Sequence, residues 1–146
     1  MLIKSEKEML RVGKEFGLKL LQQKSFPVVI ELLGDVGAGK TTFTRGLAKG
    51  LGVQEELSSP SFTISRSYSG EGCILTHFDF YRISDPGLMS EDLAEAITIP
   101  SSVTVIEWGQ DVHDLLPESY YKVEISYLDE TSRELNLEEV KAWRCI

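Results

Sequence analysis

The sequence predicts a single α/β domain: a mainly parallel central sheet flanked by helices, with a C-terminal antiparallel hairpin. Three observations carry this reading. Pro27 to Leu33 is an almost unbroken apolar run that ends in the glycine-rich stretch Gly34-Asp35-Val36-Gly37-Ala38-Gly39-Lys40-Thr41-Thr42. Two further apolar runs, Cys73 to Asp79 and Ser102 to Glu107, each end in a carboxylate. Runs of this kind suit strands buried on both faces, as in a parallel sheet. Val123-Glu124-Ile125-Ser126-Tyr127 instead alternates, with a polar turn at Asp129 to Ser132 and a return strand from Arg133 to Glu138.

The elements follow in order. Ser5-Glu6-Lys7-Glu8 has the form of a capping box before Met9, Val12, Phe16 and Leu20 at helical spacing, so a first amphipathic helix precedes the first long strand. Thr41 to Leu51 reads as a second helix with Phe43, Leu47, Ala48 and Leu51 on one face and Gly50 and Gly52 as stop signals. The polar stretch Ser58-Ser59-Pro60-Ser61 breaks helix and leads into a strand around Phe62 to Tyr68. Ser84-Asp85-Pro86-Gly87 is a turn, and Leu88 to Ala96 a short helix.

At 146 residues, with 42% hydrophobic and 26% charged residues, the chain is one domain (1–146) of ordinary globular composition. No apolar run reaches membrane-span length and Met1 to Ser5 does not open a signal peptide, so the cytosol is expected, with no membrane partner. Cys73 and Cys145 have no metal-like or redox spacing and are expected to be free thiols. The net charge of −8 argues against a tight direct grip on nucleic acid. No Lys or Arg lies between Arg82 and Lys122, where Asp85, Glu91, Asp92, Glu95, Glu107, Asp111, Asp114 and Glu118 all fall. That stretch reads as a solvated acidic face or a docking surface for a basic partner.

Residues 34–42 fit G-x-x-x-x-G-K-[ST], the P-loop pattern, between a strand and a helix as its mechanism requires. The N–H groups of Gly37, Ala38, Gly39, Lys40, Thr41 and Thr42 would cradle nucleotide phosphates at a helix N-terminus. Lys40 would reach the β/γ-phosphates, and the Thr41 hydroxyl would ligate Mg²⁺. In an open α/β sheet, parallel strands deliver their carboxyl ends to one crevice, so Asp79 and Glu107 should converge near Lys40 and Thr41. Asp79 takes the place of a Walker-B carboxylate for the metal, and Glu107 that of the group orienting or deprotonating a water. The guanine-reading Asn-Lys-x-Asp is absent, which favours ATP, and no arginine-rich lid marks a phosphotransferase. Trp108 reads as core or as a stacking group near the nucleotide, and His77 as a satisfied strand histidine rather than a catalyst. His113 lies in a polar loop without a constellation.

Together these residues resemble the TsaE (YjeE) family of small P-loop ATPases. The likeness rests on Gly34 to Thr42, on Ser58-Ser59-Pro60-Ser61-Phe62, on His77-Phe78-Asp79-Phe80-Tyr81-Arg82, on Ile106-Glu107-Trp108 and on Arg133, in that order. The resemblance implies slow Mg²⁺-dependent ATP hydrolysis in tRNA threonylcarbamoyladenosine synthesis, alongside a TsaB–TsaD pair that is itself the transferase. Contact with tRNA would be indirect. It further implies metal and hydrolysis roles for Thr41, Asp79 and Glu107, and a place near the site for Trp108. Ser5, Glu6 and Arg133 would form the nucleoside end, and Ser58, Pro60, Ser61 and Phe62 the switch. Ser61 stands where many members have Thr, which keeps the hydroxyl. A nucleotide-dependent binding module with incidental hydrolysis, and a small-molecule kinase, are the alternatives.

Overall fold

The computed structural model describes residues 1–24, 26–35, 37–57, 65–80 and 87–141. In chain order these form β1 (Leu2–Ile3), α1 (Glu6–Gln23), β2 (Val28–Leu33), α2 (Lys40–Gly50), β3 (Ser65–Ser69), β4 (Ile74–Asp79), α3 (Gly87–Ala96) and β5 (Ser102–Glu107). A 3₁₀ helix at Gln110–Leu115, β6 (Ser119–Tyr127) and β7 (Arg133–Lys141) complete them. The strands make one sheet in the order β1-β7-β6-β2-β5-β4-β3.

At its centre β6, β2, β5 and β4 are parallel, while β3 joins β4, and β7 joins β6 and β1, antiparallel. The parallel strands are covered on both sides, which is why β5 is buried at every position. Val28, Ile30, Leu32, Leu75, Val103 and Val105 pack in the cluster under α1 and α2. Val29, Phe78 and Ile106 pack with Leu93 and Ala96 of α3 on the other face. Alternation along each strand therefore sorts its residues between two cores. β6 buries Val123 and Ile125 on the first face only, as its alternating pattern predicts.

Ser5 caps α1 by accepting from Glu8 N at 3.1 Å, and Glu8 Oε2 accepts from Lys4 N at 3.1 Å, one residue before the usual capping-box partner. Met9, Val12, Phe16 and Leu20 are its buried stripe, as the spacing predicts. Both stop signals hold: Gly50 is the last residue of α2, and Gly52, with φ +84°, turns the chain. Gly50 also serves helix packing. A Cβ there would lie 2.2 Å from Lys14 O, and one on Gly46 would lie 2.2 Å from Leu10 O. The backbones of α1 and α2 touch where neither helix carries a side chain. Gly46→Val is therefore expected to cost about 3 kcal/mol through overpacking, read as a lower urea midpoint with an unchanged m-value.

Two features were not expected from the sequence. β1 pairs Leu2 with Glu134 and Ile3 with Arg133, which ties the start of α1 to the hairpin. The segment around His113 is a 3₁₀ helix, and the imidazole Nε2 lies 3.6 Å from Oε2 of the buried Glu31 and 3.4 Å from Tyr120 Oη. Of the acidic stretch, Glu91, Asp92, Glu95, Asp114 and Glu118 are exposed, whereas Glu107 is buried and does not belong to that face. Among the described residues, no helix is long and apolar enough to cross a membrane.

Candidate functional site

The loop that follows β2 is shaped by its glycines. Gly37 and Gly39 have φ of +83° and +111°, values that side chains other than glycine rarely adopt. Gly39 is the N-cap of α2, and Ala38 N donates to Asp35 O at 3.0 Å to close the turn. No atom outside its neighbours lies within 4 Å of a Cβ built on Gly37, so the backbone there faces open space. Successive N–H groups at the start of a helix can make an anion cradle. Thr41 is exposed on the first turn of α2, and Thr42 lines the adjoining cleft.

Lys40, the first residue of α2, is buried. Its Nζ lies 3.8 Å from Glu107 Oε1 and 4.0 Å from the centroid of the Trp108 ring. Burial lowers the Lys40 pKa, against the carboxylates of Glu107, Asp79 and Asp35, which raise it. Asp79 and Glu107 are directly paired across parallel β4 and β5, so their side chains leave the sheet on the same face. Of the convergence expected at Lys40 and Thr41, the structure holds Glu107 at Lys40 with Asp79 beside it on the neighbouring strand.

Trp108 has φ +56°, in the left-handed region, at the residue where β5 ends. The conformation costs an L residue about 1–2 kcal/mol, and such positions gather at functional sites. The ring packs against the α3-side cluster, which meets its reading as a core residue, and offers a face to Lys40. His77 is a buried strand histidine with a bonded partner, as read, and that partner belongs to the site. Its Nε2 lies 2.5 Å from Glu107 Oε2, inside the site. The signal was available: His77 is two residues before Asp79, and i and i+2 share a strand face.

The far end of the site is a cleft of about 530 Å³ lined by Ser5, Glu6, Met9, Gly37 to Gly39, Thr42, Glu130, Thr131 and Arg133. The short β1–β7 pairing assembles it by placing the cap of α1 beside the hairpin turn. Arg133 Nη1 donates to the carbonyls of Asp129 and Ser132 at 2.8 and 3.0 Å, and Nη2 to Gly37 O at 3.4 Å. The Tyr127 ring lies 4.2 Å under the guanidinium. Backbone N–H groups of Thr131 and Ser132 bond the Asp129 carboxylate and hold its pKa below the usual range. Sequence reading placed Ser5, Glu6 and Arg133 here and missed Tyr127, Glu130 and Thr131. The switch residues Ser58, Pro60, Ser61 and Phe62 lie outside the described residues, as do Val36, Tyr81, Arg82 and Cys145. Cys73 is a free, buried thiol, and burial raises its pKa.

Comparisons with known proteins show what the chain is similar to. The family model described as "Threonylcarbamoyl adenosine biosynthesis protein TsaE" matches residues 3–135. The chain is 38% identical to the tRNA threonylcarbamoyladenosine biosynthesis protein TsaE of Haemophilus influenzae, over 88% of this chain and 82% of that one. It is 37% identical to the protein of the same name from Treponema pallidum, over 92% and 96% of the two chains. Its fold matches the crystal structure of Bacillus subtilis YdiB with a TM-score of 0.70 at 27% identity, covering 96% of this chain and 83% of that one. On a match that runs from β1 to the hairpin, this chain belongs to the TsaE family.

Proposed function

We propose that this chain is a Mg²⁺-dependent ATPase of the cytosol that serves tRNA threonylcarbamoyladenosine synthesis as an accessory of a TsaB–TsaD pair. One observation supports it above the others. A phosphate cradle with a buried lysine opens onto a cleft of about 530 Å³ whose far wall is Ser5, Glu6 and Arg133. Phosphate end and nucleoside end thus lie on one continuous surface.

In this reading the N–H groups of Gly37 to Thr42 hold the phosphates, and Lys40 leaves Glu107 to neutralise their charge. The exposed Thr41 hydroxyl and the Asp79 carboxylate suit Mg²⁺, which takes one or two protein ligands together with phosphate oxygens and water. Bound Mg²⁺ would offset the charge that develops on the β- and γ-oxygens. Glu107, whose oxygens face Lys40 and His77, is left with a free oxygen once Lys40 moves. That oxygen can accept a proton from a water or approach the metal. The Trp108 ring, 4.0 Å from Lys40 Nζ, would flank the phosphate end.

Phosphate release measured with and without TsaB–TsaD tests the reading. Stimulation by the pair is expected; no stimulation, together with phosphate appearing on an added nucleoside or sugar, would establish a kinase instead. The emission of Trp108 provides a second check. Nucleotide should draw Lys40 from its 4.0 Å contact with the ring and shift the spectrum. A Trp143→Phe background isolates the signal, and an unchanged spectrum at saturating ATP would remove Trp108 from the site.

A further inference from the structure

We propose that His77 is the positioning residue of Glu107: its imidazole holds the carboxylate in place when Lys40 departs for the phosphates. This rests on the ATPase reading above and deepens it. Among the described residues Glu107 has two basic partners, Lys40 at Oε1 and His77 at Oε2. They differ in kind. Lys40 is 3.8 Å away on a long side chain of α2 and has a second task with nucleotide. His77 is 2.5 Å away on β4, the strand that pairs directly with β5, and opposes Val105 in a continuous parallel ladder. A short side chain on the neighbouring strand cannot follow the phosphates, so it is the partner that stays.

The burial of the ring supports the same conclusion. His77 is 2% exposed, and its Nδ1 has no hydrogen-bond partner among the described residues. A carboxylate only accepts, so Nε2 carries the proton in this pair and the ring spends its one good bond on Glu107. An imidazole with a buried, unmatched nitrogen is a poor choice for packing alone. A fixed orientation of Glu107 is what the ring provides. Outer partners of this kind, which touch neither substrate nor metal, commonly change activity by about 10- to 100-fold.

The experiment combines turnover, binding and a signal from nucleotide-free protein. His77→Leu should lower ATP turnover about 10- to 100-fold while calorimetric ATP affinity stays within about threefold of the wild type. His77→Gln, whose amide N–H can reach the Nε2 position, should recover most of the loss. In a Glu107→Ala background, His77→Leu should cause no further loss, because its effect passes through Glu107. A purely structural histidine would give additive losses, and that result, or turnover within twofold of wild type for His77→Leu, would overturn the proposal. The His77 Nε2–H proton should give a downfield NMR resonance in nucleotide-free protein that disappears in Glu107→Ala. Its absence from the wild type would also overturn the pairing. A wild type that shows the resonance yet hydrolyses no ATP would instead count against the ATPase reading and leave the pairing intact.

Discussion

Glu107→Ala is expected to keep ATP bound while turnover falls by about two to three orders of magnitude, the usual contribution of a positioned general base. Affinity should match or exceed that of the wild type. Lys40 Nζ lies 3.8 Å from Glu107 Oε1, and any free energy in that contact opposes a move to phosphate. Removing the carboxylate removes the competitor. Calorimetry for binding and single-turnover phosphate release for chemistry separate the two effects. Wild-type turnover in the variant would exclude Glu107 from the mechanism, and loss of ATP binding would make its main task structural or metal-holding.

Lys40→Ala should produce the complementary result, a loss of at least about 100-fold in ATP affinity, equivalent to roughly 2.7 kcal/mol. Unchanged affinity would refute the phosphate-binding role of the loop. The pH dependence adds a second test. Burial is the leading cause that lowers the Lys40 pKa, and the nearby carboxylates only partly offset it. The cation is the form that grips phosphate, so affinity should begin to fall at a pH below the ordinary lysine range. For folding the sign is reversed. Between the lowered native pKa and the unfolded one, the unfolded chain binds more protons, so this group's contribution to stability rises with pH. Below that window the penalty for burying the cation is present in full. Lys40→Ala should abolish both slopes, and an alkaline loss of affinity that survives the substitution would assign it to another group.

The strand, loop and helix around Lys40 were legible because each is a local pattern: an apolar run, glycines at fixed offsets, a periodic apolar stripe. Asp79 and Glu107 were legible for a related reason. A carboxylate closing a buried strand has few places to go, and parallel strands bring such ends to one edge. Gly46 and Gly50 were less transparent, because a glycine within a helix looks locally like a weak position or a stop. Only the facing backbone of α1 reveals that no side chain fits there.

By itself, then, the sequence determined the α/β class, the glycine-rich loop and the carboxylates that close two strands, since each follows from the pattern of its own segment. Tertiary structure alone decided which distant groups complete the site. The β1–β7 pairing sets the cap of α1 next to Arg133, the left-handed turn at Trp108 lays the ring against Lys40, and strand register puts His77 on Glu107. Those contacts depend on pairings between segments far apart in the chain, and local periodicity carries no information about which segment becomes the neighbour of which.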